Sequence, residues 1–133
     1  MKIFLDTNVI VSALATRGLC ADVFRLVLVD HEIVISQALL VEVERVLIEK
    51  LNLPKDIVVL FLDFLKRDST FSENEQLIDI EIPDPTDIPI LSSAYYGGAQ
   101  VFITGDRQLL DLGKINDMLI LSPRKFWETI TKF

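Results

Sequence analysis

Met1–Asn8, MKIFLDTN, is the stretch from which the fold of this chain is read. Ile3, Phe4 and Leu5 make a short apolar run, the pattern of a parallel strand buried on both faces. Asp6, Thr7 and Asn8 then set three oxygen-bearing side chains where that strand should stop. In open parallel sheets, ligands gather beyond the carboxyl ends of the strands. A carboxylate there can hold a hard divalent cation, but this stretch alone favours Asp6 or Thr7 as a cap for the helix that follows, and only the later carboxylates reverse that reading.

Working outward, the same grammar recurs. Val9 to Ala15 reads as a short helix that stops near Arg17-Gly18, with Gly18 suited to a C-cap. Ala21 to Val29 reads as a largely buried helix, Glu32 to Ile35 as a second strand, and Ser36 as an N-cap. Gln37 to Lys50 continues as a helix, Asn52-Leu53-Pro54 breaks it, and Lys55 to Arg67 is a very apolar helix. Asp68 to Gln76 is polar and reads as irregular, whereas Leu77, Ile78, Ile80 and Ile82 predict an extended segment. Pro83 to Asp87 is a rigid loop, because proline removes donors and fixes φ. Asp87 opens a helix over Ile88 to Tyr96 that Gly97-Gly98 ends. Val101, Phe102 and Ile103 form another buried strand, closed by Thr104-Gly105-Asp106 as the first is closed by Asp6-Thr7. A short helix through Leu109, Leu110 and Leu112, a strand over Met118 to Leu121 and a terminal helix with Phe126, Trp127 and Ile130 complete the chain. The alternation predicts one domain, 1–133, of α/β class, with a central parallel sheet between helical layers.

The helix from Gln37 repays closer reading. At 100° per residue, Leu39, Leu40, Val43, Val46 and Leu47 fall on one stripe, and Glu42 borders it. A carboxylate at a core border needs a partner or a route to solvent, and Arg45 and Lys50 are near in sequence. Val41 and Ile48 lie opposite the stripe and predict a second apolar patch.

Composition narrows the function classes. Twenty acidic against 13 basic residues give a net charge of −7, the wrong sign for holding nucleic acid by bulk electrostatics. A nucleic-acid substrate therefore needs a local basic groove. Half of the residues are hydrophobic, yet no apolar run approaches the ~18 residues of a membrane span. A core plus a partner or dimer interface accounts for so much apolar surface better than a membrane does. Lys2, the apolar start and Ala13-Leu14-Ala15 imitate a secretory signal, but Asp6 and Asn8 interrupt its hydrophobic region. The single Cys20 cannot form an internal disulfide and fits a reduced, cytoplasmic setting.

Four acids now hold related places. Asp6 and Asp106 follow apolar strands, Asp87 opens a helix and Glu42 borders a core stripe. Converging carboxylates without histidine are ligand chemistry for Mg²⁺ or Mn²⁺ rather than zinc. Such a cluster is self-repelling, which a cation relieves.

These residues carry a resemblance. FLDTNVIVSAL (Phe4 to Leu14), ISQALLVEVERVL (Ile35 to Leu47), DPTDIPILSSAYYGGAQVFITGDRQLL (Asp84 to Leu110) and ILSPRKFWE (Ile120 to Glu128) resemble, in order, stretches of PIN-domain ribonucleases. The likeness is to the VapC-like toxin components of bacterial and archaeal toxin–antitoxin pairs in particular. It implies a PIN-like three-layer α/β/α sandwich and a Mg²⁺- or Mn²⁺-dependent endoribonuclease that cuts single-stranded RNA. It implies that Asp6, Glu42, Asp87 and Asp106 bind metal and catalyse, with Asn8 and Thr104 as supporting polar residues. An antitoxin is the implied partner, whereas a homodimer is expected from the high apolar fraction and the two-sided Gln37 to Lys50 helix. On the nuclease reading Arg17 and Arg107, each near an acid-bearing turn, are candidates to contact phosphate. Ile88 stands where relatives often have Asn, and Gln108 where a second Asp is frequent. The competing expectation is a catalytically silent PIN-like module that binds RNA or protein.

Overall fold

A computed structural model describes residues 1–130 of the chain. Strand β1 (Lys2–Leu5) leads into helices α1 (Thr7–Ala15) and α2 (Leu19–Asp30), then β2 (Glu32–Ser36), α3 (Gln37–Glu49), α4 (Lys55–Arg67) and β3 (Thr70–Ser72). A 3₁₀ turn (Pro85–Asp87) opens α5 (Ile88–Tyr96), followed by β4 (Val101–Ile103), α6 (Arg107–Leu110), β5 (Lys114–Ile115), β6 (Met118–Leu121) and α7 (Pro123–Ile130).

The six strands among the described residues form one sheet in the order β3-β2-β1-β4-β6-β5, parallel except for the β5–β6 pair. From β1 the chain steps one way to β2 and β3, then crosses back to β4 and on to β6. Right-handed crossovers in opposite directions place their helices on opposite faces, which gives the three layers. The order reverses between β1 and β4, so that pair is the topological switch point where such sheets bind ligands.

Register at the switch point is held from below. Phe4 pairs with Phe102 across β1 and β4, and their rings stack at 5.4 Å and 8°. Such a pair contributes about 0.5–1.5 kcal/mol beyond its buried area. Ile3, Phe4, Leu5, Phe102 and Ile103 are fully buried, as near-continuous apolar strands between two helical layers require.

Several expectations are corrected. The stretch read as irregular contains β3, a three-residue edge strand, and the sheet gains an antiparallel edge in β5. Leu77 to Ile82 joins no strand; Ile78 is buried and its N–H donates to Ser92 Oγ at 3.0 Å. Gly18 is the N-cap of α2, and Thr16 closes α1. Ile48 packs on the core, so the second apolar patch of α3 reduces to exposed Val41. Val46 leaves the core stripe and faces a cleft.

Candidate metal-dependent nuclease site

Each acid reaches the carboxyl edge of the sheet by its own local logic. Asp6 is the N-cap of α1: its Oδ1 accepts from the Thr7 N–H at 2.8 Å, and its carbonyl takes the first helical bonds from Val9 and Ile10. Asp106 caps α6 by accepting from the Gln108 N–H at 2.9 Å. Capping and ligation are therefore compatible readings, because each cap uses only part of the carboxylate.

Thr104 joins the two acids. Its hydroxyl is fully buried, donates to Asp6 Oδ2 at 2.7 Å and accepts from the Asp106 N–H at 3.0 Å. Asp6 is thus fixed through both oxygens. Asn8 lies beside Gly105, whose missing side chain leaves ordinary contact distance to the Asn8 amide.

Asp87 opens α5 but makes no capping bond with its side chain. The cap of its turn is Asp84, whose Oδ1 accepts from the Thr86 N–H at 3.0 Å and the Thr86 hydroxyl at 2.7 Å. Those bonds hold the Asp84 carboxyl below the usual range. The Asp87 carboxylate remains uncommitted. Glu42, half-buried on α3, pairs with neither Arg45 nor Lys50 in the two ion pairs found among the described residues; Arg45 reaches Glu49 instead, at 3.3 Å.

All four acids line one cleft of about 330 Å³, together with Thr7, Asn8, Val11, Ser12, Arg45, Val46 and Lys50. Electrostatics records their approach. Burial chiefly pushes the Asp87 carboxyl up to about 6, with Asp84, Asp106, Asp6 and Glu42 adding to the rise. Burial likewise raises Asp6 against the lowering hydrogen bonds of Thr104 and Thr7, and Glu42 and Asp106 raise it further.

The donor set is entirely oxygen, which suits a hard divalent ion that keeps part of its water. Thr7 Oγ1, on the cleft wall, is buried without a hydrogen-bond partner among the described residues. Yet among those residues no three acid, histidine or cysteine side chains stand close enough to hold an ion together. The acids share a cleft; they do not form a closed cage.

The positions named from sequence fall unevenly. Asp6, Asn8, Glu42, Asp87 and Asp106 line the cleft, and Thr104 lies directly beneath it. Arg17 and Arg107 do not line it. Arg45, Lys50 and Ser12 do, and sequence reading gave none of them a phosphate-binding or site role. Their helical spacing from Glu42 and Asn8 was the available signal. Tyr95 and Tyr96 pack edge to face at 5.1 Å, away from the acids.

Residues 2–108 match the PIN domain family. The chain belongs to the PIN-domain family. This PIN domain shares its fold with a chain in the crystal structure of VapBC2 from Rickettsia felis bound to a DNA fragment from their promoter. The two are 18% identical over 92% of this chain and 98% of that chain, with a TM-score of 0.63. No curated protein matches the chain.

Proposed function

We propose that this PIN domain is a Mg²⁺- or Mn²⁺-dependent endoribonuclease for single-stranded RNA and the toxin of a toxin–antitoxin pair. The observation that carries the reading is the gathering of Asp6, Glu42, Asp87 and Asp106 in one cleft at the switch point between β1 and β4. Asp6 is the fixed member, oriented through both oxygens by Thr104 and the Thr7 amide. Asp87 and Glu42 are the adaptable members, free to turn toward an ion from α5 and α3. A divalent ion bound there supplies charge neutralisation and activation of water at a phosphodiester. Asn8, beside Gly105, offers an amide to the same cleft.

The partner assignments belong to this reading. On α4, Ile57, Leu60 and Phe64 recur at helical spacing and are 46%, 65% and 41% exposed, which fits a homodimer face. An antitoxin is the second partner, suggested by the VapBC2 likeness. Among the described residues no helix is long and apolar enough to cross a membrane, and a cytoplasmic setting fits the unpaired Cys20.

The lack of a closed group of three ligating side chains among the described residues favours one other reading, a catalytically silent module that binds RNA or protein through the same surface. Labelled single-stranded RNA separates the two. The nuclease reading expects cleavage with Mn²⁺, none with EDTA, and none from Asp6→Asn or Asp106→Asn. Metal-independent cutting, or no cutting by folded protein in Mn²⁺, overturns it.

A further inference from the structure

A chain of net charge −7 gives a polyanion no bulk attraction, so any strand it holds must be held locally. The cleft contains the means on one wall. Along α3, Arg45 and Lys50 follow Glu42 by three and eight residues and line the same cleft. At 1.5 Å per residue they stand about 4.5 Å and 12 Å further along the helix axis. On α1, Asn8, Val11 and Ser12 recur at helical spacing and line the facing wall. Val11 and Val46 add apolar contact between the polar groups. The cleft is therefore a groove between α1 and α3, acidic where the strands end and basic toward the end of α3.

We infer that this groove is the track of a single-stranded RNA leaving the carboxylates, with Arg45 and Lys50 as phosphate contacts. The inference rests on the nuclease reading for the identity of the strand. A strand advances about 3.4 Å per nucleotide when stacked, so the two cations meet phosphates roughly one to four nucleotides from the acids. Arg45 is available for this. Its present partner is exposed Glu49 at 3.3 Å, and an exposed pair of that kind is weak. A phosphate takes a guanidinium in a stronger, charge-assisted bond. Lys50 closes α3 as its C-cap, where a cation also suits the helix dipole.

The test is fluorescence-anisotropy binding of a labelled unstructured RNA oligonucleotide at several salt concentrations. Asp6→Asn protein is used to prevent cutting, with wild-type cleavage in Mn²⁺ measured in parallel. Arg45→Gln and Lys50→Gln should each flatten the slope of log K against log salt by about 0.7, and together by about 1.4. Arg45→Lys should restore the slope, and Arg17→Gln should leave it unchanged. The penalty of Lys50→Gln should shrink as the oligonucleotide is shortened toward a dinucleotide. In cleavage, the Gln variants should raise KM more than they lower kcat. Cleavage by wild type with slopes indifferent to both Gln variants overturns the track and leaves the nuclease standing. Slopes that fall as expected, with no wild-type cleavage, keep the track as a binding groove and overturn the nuclease. Absence of RNA binding overturns the track.

Discussion

The Thr104 hydroxyl donates to Asp6 Oδ2 at 2.7 Å, tying the end of β4 to the end of β1 across the switch point. The same oxygen accepts from the Asp106 N–H, so one buried atom sets the position of two acids. Thr104→Val keeps the shape and removes both bonds. It should cost about 1–3 kcal/mol of stability, because Asp6 loses a donor and the Asp106 N–H an acceptor. It should also lower cleavage by about 10–100-fold, the usual penalty for losing an orienting partner of a ligand. Thr104→Ser should recover most of both. Denaturant melts and cleavage rates of the two variants decide it.

The raised carboxyl of Asp87 makes a pH prediction with a definite sign. Its folded pKa of about 6 exceeds the ordinary unfolded value of ~3.9. The metal-free fold therefore binds this proton more tightly than the unfolded chain does. That contribution is fully present below about pH 4 and is lost as pH rises through about 6. In EDTA, Asp87→Asn should melt increasingly above wild type between those limits and hold its advantage at neutral pH, while cleavage disappears. Melting temperatures that stay parallel across this range, or an Asp87→Asn protein that still cuts RNA, contradict the account.

Close approach at the end of α5 gives a purely structural prediction. A methyl group on Gly97 would stand 2.7 Å from Ser72 Cβ and 2.8 Å from the Ser93 carbonyl oxygen. Ser72 lies on β3 and the Ser93 oxygen on α5 itself, so the end of α5 must shift off β3 and its last turn must distort. Gly97→Ala should destabilise the fold by about 1–3 kcal/mol, measurable by chemical denaturation. A neutral result would mean that α5 packs less tightly than described.

The exposed α4 face predicts assembly. Leu60→Lys places a charge in the middle of the Ile57–Leu60–Phe64 stripe. It should convert a dimer to a monomer in light scattering and leave the melting temperature of the monomer nearly unchanged. A wild-type protein that is monomeric at high concentration contradicts the homodimer.

What the sequence made legible follows from range. Asp6 and Asp106 were readable because each ends an apolar run, and Asp87 because prolines isolate its turn. The β3 strand was not, since Thr70-Phe71-Ser72 lacks an apolar run and lies at an edge where one side faces outward. Leu77 to Ile82 alternates like a strand, yet Ile78 packs into the core and its N–H goes to Ser92 Oγ rather than to a neighbouring strand. The roles of Thr104 and Arg45 depend on which elements meet in space. Thr104 reaches an acid 98 residues away, and Arg45 joins the cleft only because α1 packs on α3. No local pattern carries that information.

The central claim is that the four acids act as one cation site, and titration of Mn²⁺ followed by the paramagnetic resonance of the free ion tests it most directly. Wild-type protein should deplete the free-ion signal, and Asp6→Asn, Glu42→Gln, Asp87→Asn and Asp106→Asn should each weaken that binding. Mn²⁺ should also raise the melting temperature of wild type by linkage. A folded wild-type protein that leaves all of the Mn²⁺ free, or binding that survives all four substitutions, would contradict the account.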